Sequence, residues 1–191
     1  MRAFTDYNAT PEFSDNQRLP AGAYEVTIKR AEEKQTKSGD VLCILFDISD
    51  GDFKNFYMDK FLSDKNNYPE NAKFKGVYQL WYPNGSQYDE NNKKRMKTAL
   101  ERIKTSNNLN VDFSKEWDGN ALKGCKVGMI FQDREWNYNG RTGFTAQPYS
   151  IITLDDLKNG NFTIPEPKCL NVPKTSAQPI QSDELSEDLP F

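Results

Sequence analysis

The chain contains no histidine. That absence excludes imidazole general acid/base catalysis, Ser-His or Cys-His nucleophile pairs, and zinc sites built on imidazole. Cysteine is scarce, with three residues at positions 43, 125 and 169 and no Cys-x-x-Cys pair. The count is odd, and Cys43 and Cys125 lie among apolar neighbours, so buried free thiols are expected rather than a disulfide framework. No apolar run is long enough to span a bilayer, and the start, Met1 to Asp6, lacks the apolar stretch of a signal peptide. The expected compartment is the cytoplasm, with no membrane association.

Over 191 residues, hydrophobic side chains reach 36% and charged ones 28%, with a mean hydropathy of −0.84. One domain with an appendage fits that length. The net charge of −3 is unevenly placed. Asp183, Glu184, Glu187 and Asp188 sit in the last nine residues with no base among them. Residues 93–141 hold 11 Lys/Arg against 6 Asp/Glu, so the middle is basic while the end is acidic.

Residues 1–18 read as an arm, polar but carrying Phe4, Tyr7 and Phe13. After Leu19-Pro20-Ala21-Gly22, the alternation from Tyr24 to Lys29 predicts a first strand. A turn at Lys37-Ser38-Gly39-Asp40 leads to the apolar run Val41–Ile48, a second strand. Asp50-Gly51 is a hairpin signal, and Phe53–Phe61 is expected as a third strand. Residues 62–91 read as a long loop or insertion, with an extra strand allowed at Lys75–Tyr82. Met96, Ala99, Leu100 and Ile103 predict a helix over about 92–106, halted by Asn107-Asn108. Gly124–Trp136 and Arg141–Leu154 read as strands four and five, joined by the Asn139-Gly140 turn. From Pro165 the chain becomes Pro-, Ser- and Gln-rich.

Three strands, one helix and two strands describe a mainly β protein. The expected fold is a five-stranded OB-fold barrel with its helix between strands three and four, plus a disordered C-terminal tail. An open α+β sheet is the rival. The expected division is an arm at 1–18, the barrel domain at 19–160, a flexible linker at 161–182 and an acidic tip at 183–191.

Enzymatic motifs fare poorly. Gly119–Lys126 imitates a phosphate loop, but Cys125 stands where the lysine belongs. Asp47, Asp50 and Asp52 suit turns better than a calcium loop, because Phe46 and Ile48 occupy ligand positions. No catalytic residues, metal ligands or cofactors are expected. What stands out is rings interleaved with bases, the composition that stacks on unpaired bases and neutralises phosphates. In such a barrel, strands two and three and the loops after strands one and four bind the ligand. The candidate DNA-binding residues are therefore Lys34, Lys37, Lys54, Phe56, Lys60, Lys126, Arg134, Trp136, Tyr138 and Arg141.

The C-terminus reads Ser182-Asp-Glu-Leu-Ser-Glu-Asp-Leu-Pro-Phe191. It resembles the acidic tip of bacterial and phage single-stranded DNA-binding proteins. Leu19-Pro-Ala-Gly-Ala-Tyr-Glu-Val-Thr-Ile, Thr36-Lys-Ser-Gly and Asn120-Ala-Leu-Lys-Gly-Cys-Lys-Val-Gly resemble the phage-encoded members of that group. The resemblance spans roughly residues 19–150, in blocks. It implies an oligonucleotide-binding barrel without catalysis, acting on single-stranded DNA in replication, recombination or repair in the bacterial host cytoplasm. It also implies partner binding through Asp183, Glu184, Glu187, Asp188, Leu189, Pro190 and Phe191, with Phe191 filling an apolar pocket and acids steering the encounter. Self-association is left open. The rival readings are a protein-protein adaptor and a metal-dependent nuclease using the Asp47–Asp52 region.

Overall fold

The computed structural model describes residues 18–170. The acidic tip at 183–191 lies outside them, as do residues 1–17. In chain order the elements are β1 (Gly22–Thr36), β2 (Gly39–Ile48), α1 (Phe56–Asn67), β3 (Val77–Trp81), α2 (Asp89–Asn107), β4 (Lys126–Tyr138), β5 (Arg141–Ile152) and α3 (Leu154–Asn159). A short 3-10 turn at Gly119–Leu122 occupies the phosphate-loop lookalike, its start capped by the Asp118 carboxylate. The protein is mainly β, with a five-stranded sheet ordered β3-β2-β1-β4-β5. Every pairing between these five strands is antiparallel. The sheet is not closed, and β3 and β5 are its two edges.

Two long hairpins dominate. β1 pairs with β4 through Gly22–Thr27 and with β2 through Val26–Thr36, so one strand serves two neighbours in turn. A register shift between Ile28 and Arg30 marks a bulge, the device that bends a strand and raises its twist. The β4–β5 hairpin turns at Asn139-Gly140, with φ of 49° and 75°. Two successive left-handed residues are what a two-residue type I′ turn requires, which is why Asn-Gly stands there.

The third strand differs from expectation. Residues 53–61 form a turn and the start of α1 instead. Gly51 (φ 77°) and Asn55 (φ 61°) redirect the chain after β2. Asp47, buried at the end of β2, then accepts the backbone N–H of Tyr57 and of Met58, both at 3.0 Å. Those donors would otherwise be orphans of the helix's first turn. The cap comes from a strand residue rather than a neighbouring one, so a local reading of 53–61 cannot detect it. The third strand is Val77–Trp81, paired with Val41–Leu45. Residues 62–91 are accordingly no loop insertion; they hold the second half of α1, all of β3 and the start of α2. Nor is the helix single, since α1 and α3 accompany α2.

The core lies on one face of the sheet. Phe46 and Phe131 are fully buried, and Tyr57 stacks on Phe131 with centroids 6.5 Å apart. Each such side chain contributes roughly 1.5–3 kcal/mol through burial. α2 covers one end with Ala99, Leu100 and Ile103, and Asn108 (φ 49°) terminates it. Arg102 Nη1 donates to the carbonyl of Ile151 at 2.6 Å, tying α2 to β5. Cys43 and Cys125 are buried thiols and Cys169 is exposed; burial pushes the Cys125 pKa up.

The expected linker over 161–182 starts too early. Lys168 N–H donates to Asp133 O at 2.8 Å, and Glu135 N–H donates to Lys168 O at 2.9 Å. Beyond Phe131, β4 has no β1 partner, and the segment around Lys168 fills that vacated edge. Backbone groups left unpaired there are satisfied by the chain's own continuation.

Candidate functional site

The open seam between β3 and β5 is a cleft of about 1010 Å³. Its basic residues are Arg18, Lys60, Lys75, Arg95 and Arg134, and no Asp or Glu lines it. Rings come from every side: Phe56 and Tyr57 of α1, Trp81 of β3, Trp136 of β4, Phe144 and Tyr149 of β5. Arg18 is ion-paired with Asp133. Lys60, Lys75, Arg95 and Arg134 form no ion pair among the described residues.

Three contacts shape the cleft. Tyr78 Oη donates to the Tyr149 carbonyl at 3.4 Å, and Arg95 Nη2 approaches the same carbonyl at 3.5 Å. Arg134 Nη1 donates to Gln147 Oε1 at 3.3 Å, across the β4–β5 ladder. Trp136 pairs with Gly143, and a Cβ built on Gly143 would stand 2.7 Å from the Trp136 ring. The indole therefore lies over the glycine backbone, in space that only glycine leaves open.

The structure divides the expected DNA-binding residues into groups. Phe56, Lys60, Arg134 and Trp136 line the cleft. Phe56 and Lys60 share a face as expected, but through helical spacing rather than strand alternation. Lys37, Tyr138 and Arg141 are exposed at the two hairpin tips, with Tyr138 72% exposed. The β1–β2 tip is fixed by Asn84 Nδ2, which donates to Ser38 O at 3.1 Å. Lys54 is exposed in the turn before α1. Lys34 and Lys126 are already paired, with Glu32 at 2.6 Å and Glu25 at 2.8 Å. Both ammonium pKa values are raised, first by the hydrogen bond to that carboxylate. Lys126 opens β4 at the end opposite Trp136, and neither lysine lines the cleft.

Several cleft residues escaped the sequence reading. Lys75 just before β3, Arg95 on α2 and Tyr149 on β5 are far apart in the chain, and only the fold brings them together. Trp81, which reads equally well as satellite core, stands half-buried on the β3 edge. Asp47 is used as a helix cap and packs beside Tyr57, whose phenol pKa is raised mainly by burial and further by that carboxylate. Among the described residues no three His, Cys, Asp or Glu side chains converge as metal ligands would. No helix among them is long and apolar enough to cross a membrane.

No curated protein matches the chain. A family model does: residues 5–140 match DUF669, described as a protein of unknown function. The match covers well over half of the 191 residues, from the arm through β4, and the chain belongs to the DUF669 family.

Proposed function

We propose that the chain is a non-catalytic single-stranded DNA-binding protein of the phage-encoded kind. It acts in the bacterial cytoplasm during DNA replication, recombination or repair. The observation that carries this reading is the cleft, which joins Lys60, Lys75, Arg95 and Arg134 to Trp81 and Trp136 with no carboxylate among its lining residues. Rings accept unpaired bases by stacking, at about 1–3 kcal/mol per base, and cations take the phosphates. Lys37, Tyr138 and Arg141, exposed at the two hairpin tips, add further cations and a ring for the strand to meet. Partner proteins are recruited by Asp183–Phe191, through the ring and acids of that tip.

The finer fold assignment is an OB barrel left open at one seam. Connectivity supports it: β1 between β2 and β4, β3 and β5 at the outside, and α2 joining β3 to β4. Hydrogen bonding of β3 to β5 would close the ring.

The test is a titration of the intact chain with oligo-dT, followed by tryptophan emission at two salt concentrations. Trp81 and Trp136 both line the cleft, whereas Trp117 packs on Phe113, so emission reports the site directly. The expected result is quenching by single strands that weakens with salt and is faint for duplex DNA. Absence of binding at low salt overturns the reading and favours the adaptor alternative.

A further inference from the structure

We infer that the return segment Glu166–Leu170 belongs to the single-strand surface, with Lys168 as a further phosphate-binding residue. The role of Lys168 rests on the DNA-binding reading above. Past Phe131, β4 has no β1 partner, and this segment takes the place of one. Lys168 N–H donates to Asp133 O, and Glu135 N–H donates to Lys168 O. Those two bonds straddle Arg134 and make Lys168 its parallel partner. Partners across a ladder carry their side chains on the same face of the sheet. Arg134 lines the cleft, so Lys168 extends the cation row of the cleft by one strand. Gln132, also a lining residue, donates from Nε2 to Glu166 O at 2.7 Å and holds the segment against the cleft wall.

The sequence of the segment suits this position. Alternate residues of an extended chain turn their backbone groups to opposite edges, so with Lys168 bonded to β4, Pro167 faces away from it. Proline has no N–H to offer there, and an outer edge is where a sheet tolerates it. The fixed φ of Pro165 and Pro167 also lowers the entropy lost on docking. Charge then separates by face. Asp133 and Glu135 alternate to the face opposite Arg134. Asp133 is ion-paired with Arg18, and Glu135 Oε2 accepts the Leu170 N–H at 2.9 Å. Lys168 is exposed and forms no ion pair among the described residues, with Glu166 or any other acid. Two long cationic side chains rooted about 4.8 Å apart reach one phosphate or two successive ones.

The experiment titrates the full chain with oligo-dT over a range of salt concentrations. The parent is compared with Lys168→Ala, Lys168→Arg and Lys158→Ala. Lys158 is exposed on α3 outside the cleft, and its loss changes the net charge equally. Lys168→Ala keeps the backbone bonds of the segment, so it is expected to melt as the parent does. Its slope of log affinity against log salt is expected to fall by about 0.7, the value for one phosphate on a single strand. Lys168→Arg and Lys158→Ala are expected to keep the parent slope. A parent that binds and a Lys168→Ala variant with the same slope overturn the inference and leave the DNA-binding reading standing. Equal flattening by Lys168→Ala and Lys158→Ala assigns the effect to net charge and also overturns the inference alone. A parent that fails to bind at low salt overturns both.

Discussion

The carboxylate of Asp47 accepts the backbone N–H of Tyr57 at 3.0 Å, joining the end of β2 to the first turn of α1. Met58 donates to the other oxygen, and Ile48 N–H to the same oxygen as Tyr57. Among the described residues Asp47 is the charged exception in an otherwise apolar buried set, and these bonds are what make its burial tolerable. Asp47→Ala leaves these buried donors without that acceptor. We expect a loss of about 3 kcal/mol, read as a lower urea midpoint, and a smaller loss for Asp47→Asn, which keeps one acceptor oxygen. Equal stability of Asp47→Ala and the parent would show that the cap is not needed.

That cap also explains what was legible in the sequence. The β1–β2 and β4–β5 hairpins follow from period-two patterning and from Lys37–Gly39 and Asn139-Gly140, all local signals. Phe53–Phe61 has rings and lysines at strand-like spacing, and its local composition does not encode the Asp47 carboxylate that makes it helical. β3 was visible only as an extra strand, because five residues carry little pattern of their own. The site divides the same way. Arg134 and Trp136 were legible because they flank one hairpin turn. Lys75 and Arg95 were not, because the open seam that gathers them is a property of the whole sheet. Lys34 and Lys126 look identical to free lysines in sequence, and only the register exposes Glu32 and Glu25 as their partners.

The seat of Trp136 gives a second prediction. A side chain at Gly143 meets the indole rather than the solvent. Gly143→Val should displace the ring, shift its emission and weaken oligo-dT binding about as much as Trp136→Ala. That loss is about 1–3 kcal/mol if one base stacks there. Both variants should melt near the parent temperature, since Trp136 is 42% exposed. Normal affinity in both would remove Trp136 from the interface.

Glu25 and Lys126 supply a pH-dependent contribution to stability. The carboxyl pKa of Glu25 is lowered, first by the hydrogen bond from Lys126. A lowered folded value means the pair's stabilisation is present above the ordinary Glu value of 4.5 and fades as pH falls through the folded value. The raised Lys126 value adds the opposite limb: that stabilisation is present below 10.5 and fades as pH rises through the folded value. Glu25→Gln should therefore be slightly less stable than the parent at neutral pH, and the difference should vanish in acid. The effect is small because the pair faces solvent. A difference that persists unchanged into acid, in melts across pH, would assign the loss to packing instead.

The cations of the cleft make separable predictions about salt. Each phosphate neutralised on a single strand contributes about 0.7 to the slope of log affinity against log salt. Arg95→Ala and Arg134→Ala should each weaken oligo-dT binding and reduce that slope by about 0.7. Lys126→Ala should leave both unchanged, because its ammonium is held by Glu25 outside the cleft. The comparison matters because all three residues lie in the basic stretch of residues 93–141 and are equivalent by charge alone. If Lys126→Ala flattens the slope and Arg95→Ala does not, the strand runs along the opposite end of β4, and the β3–β5 seam is not the path of DNA.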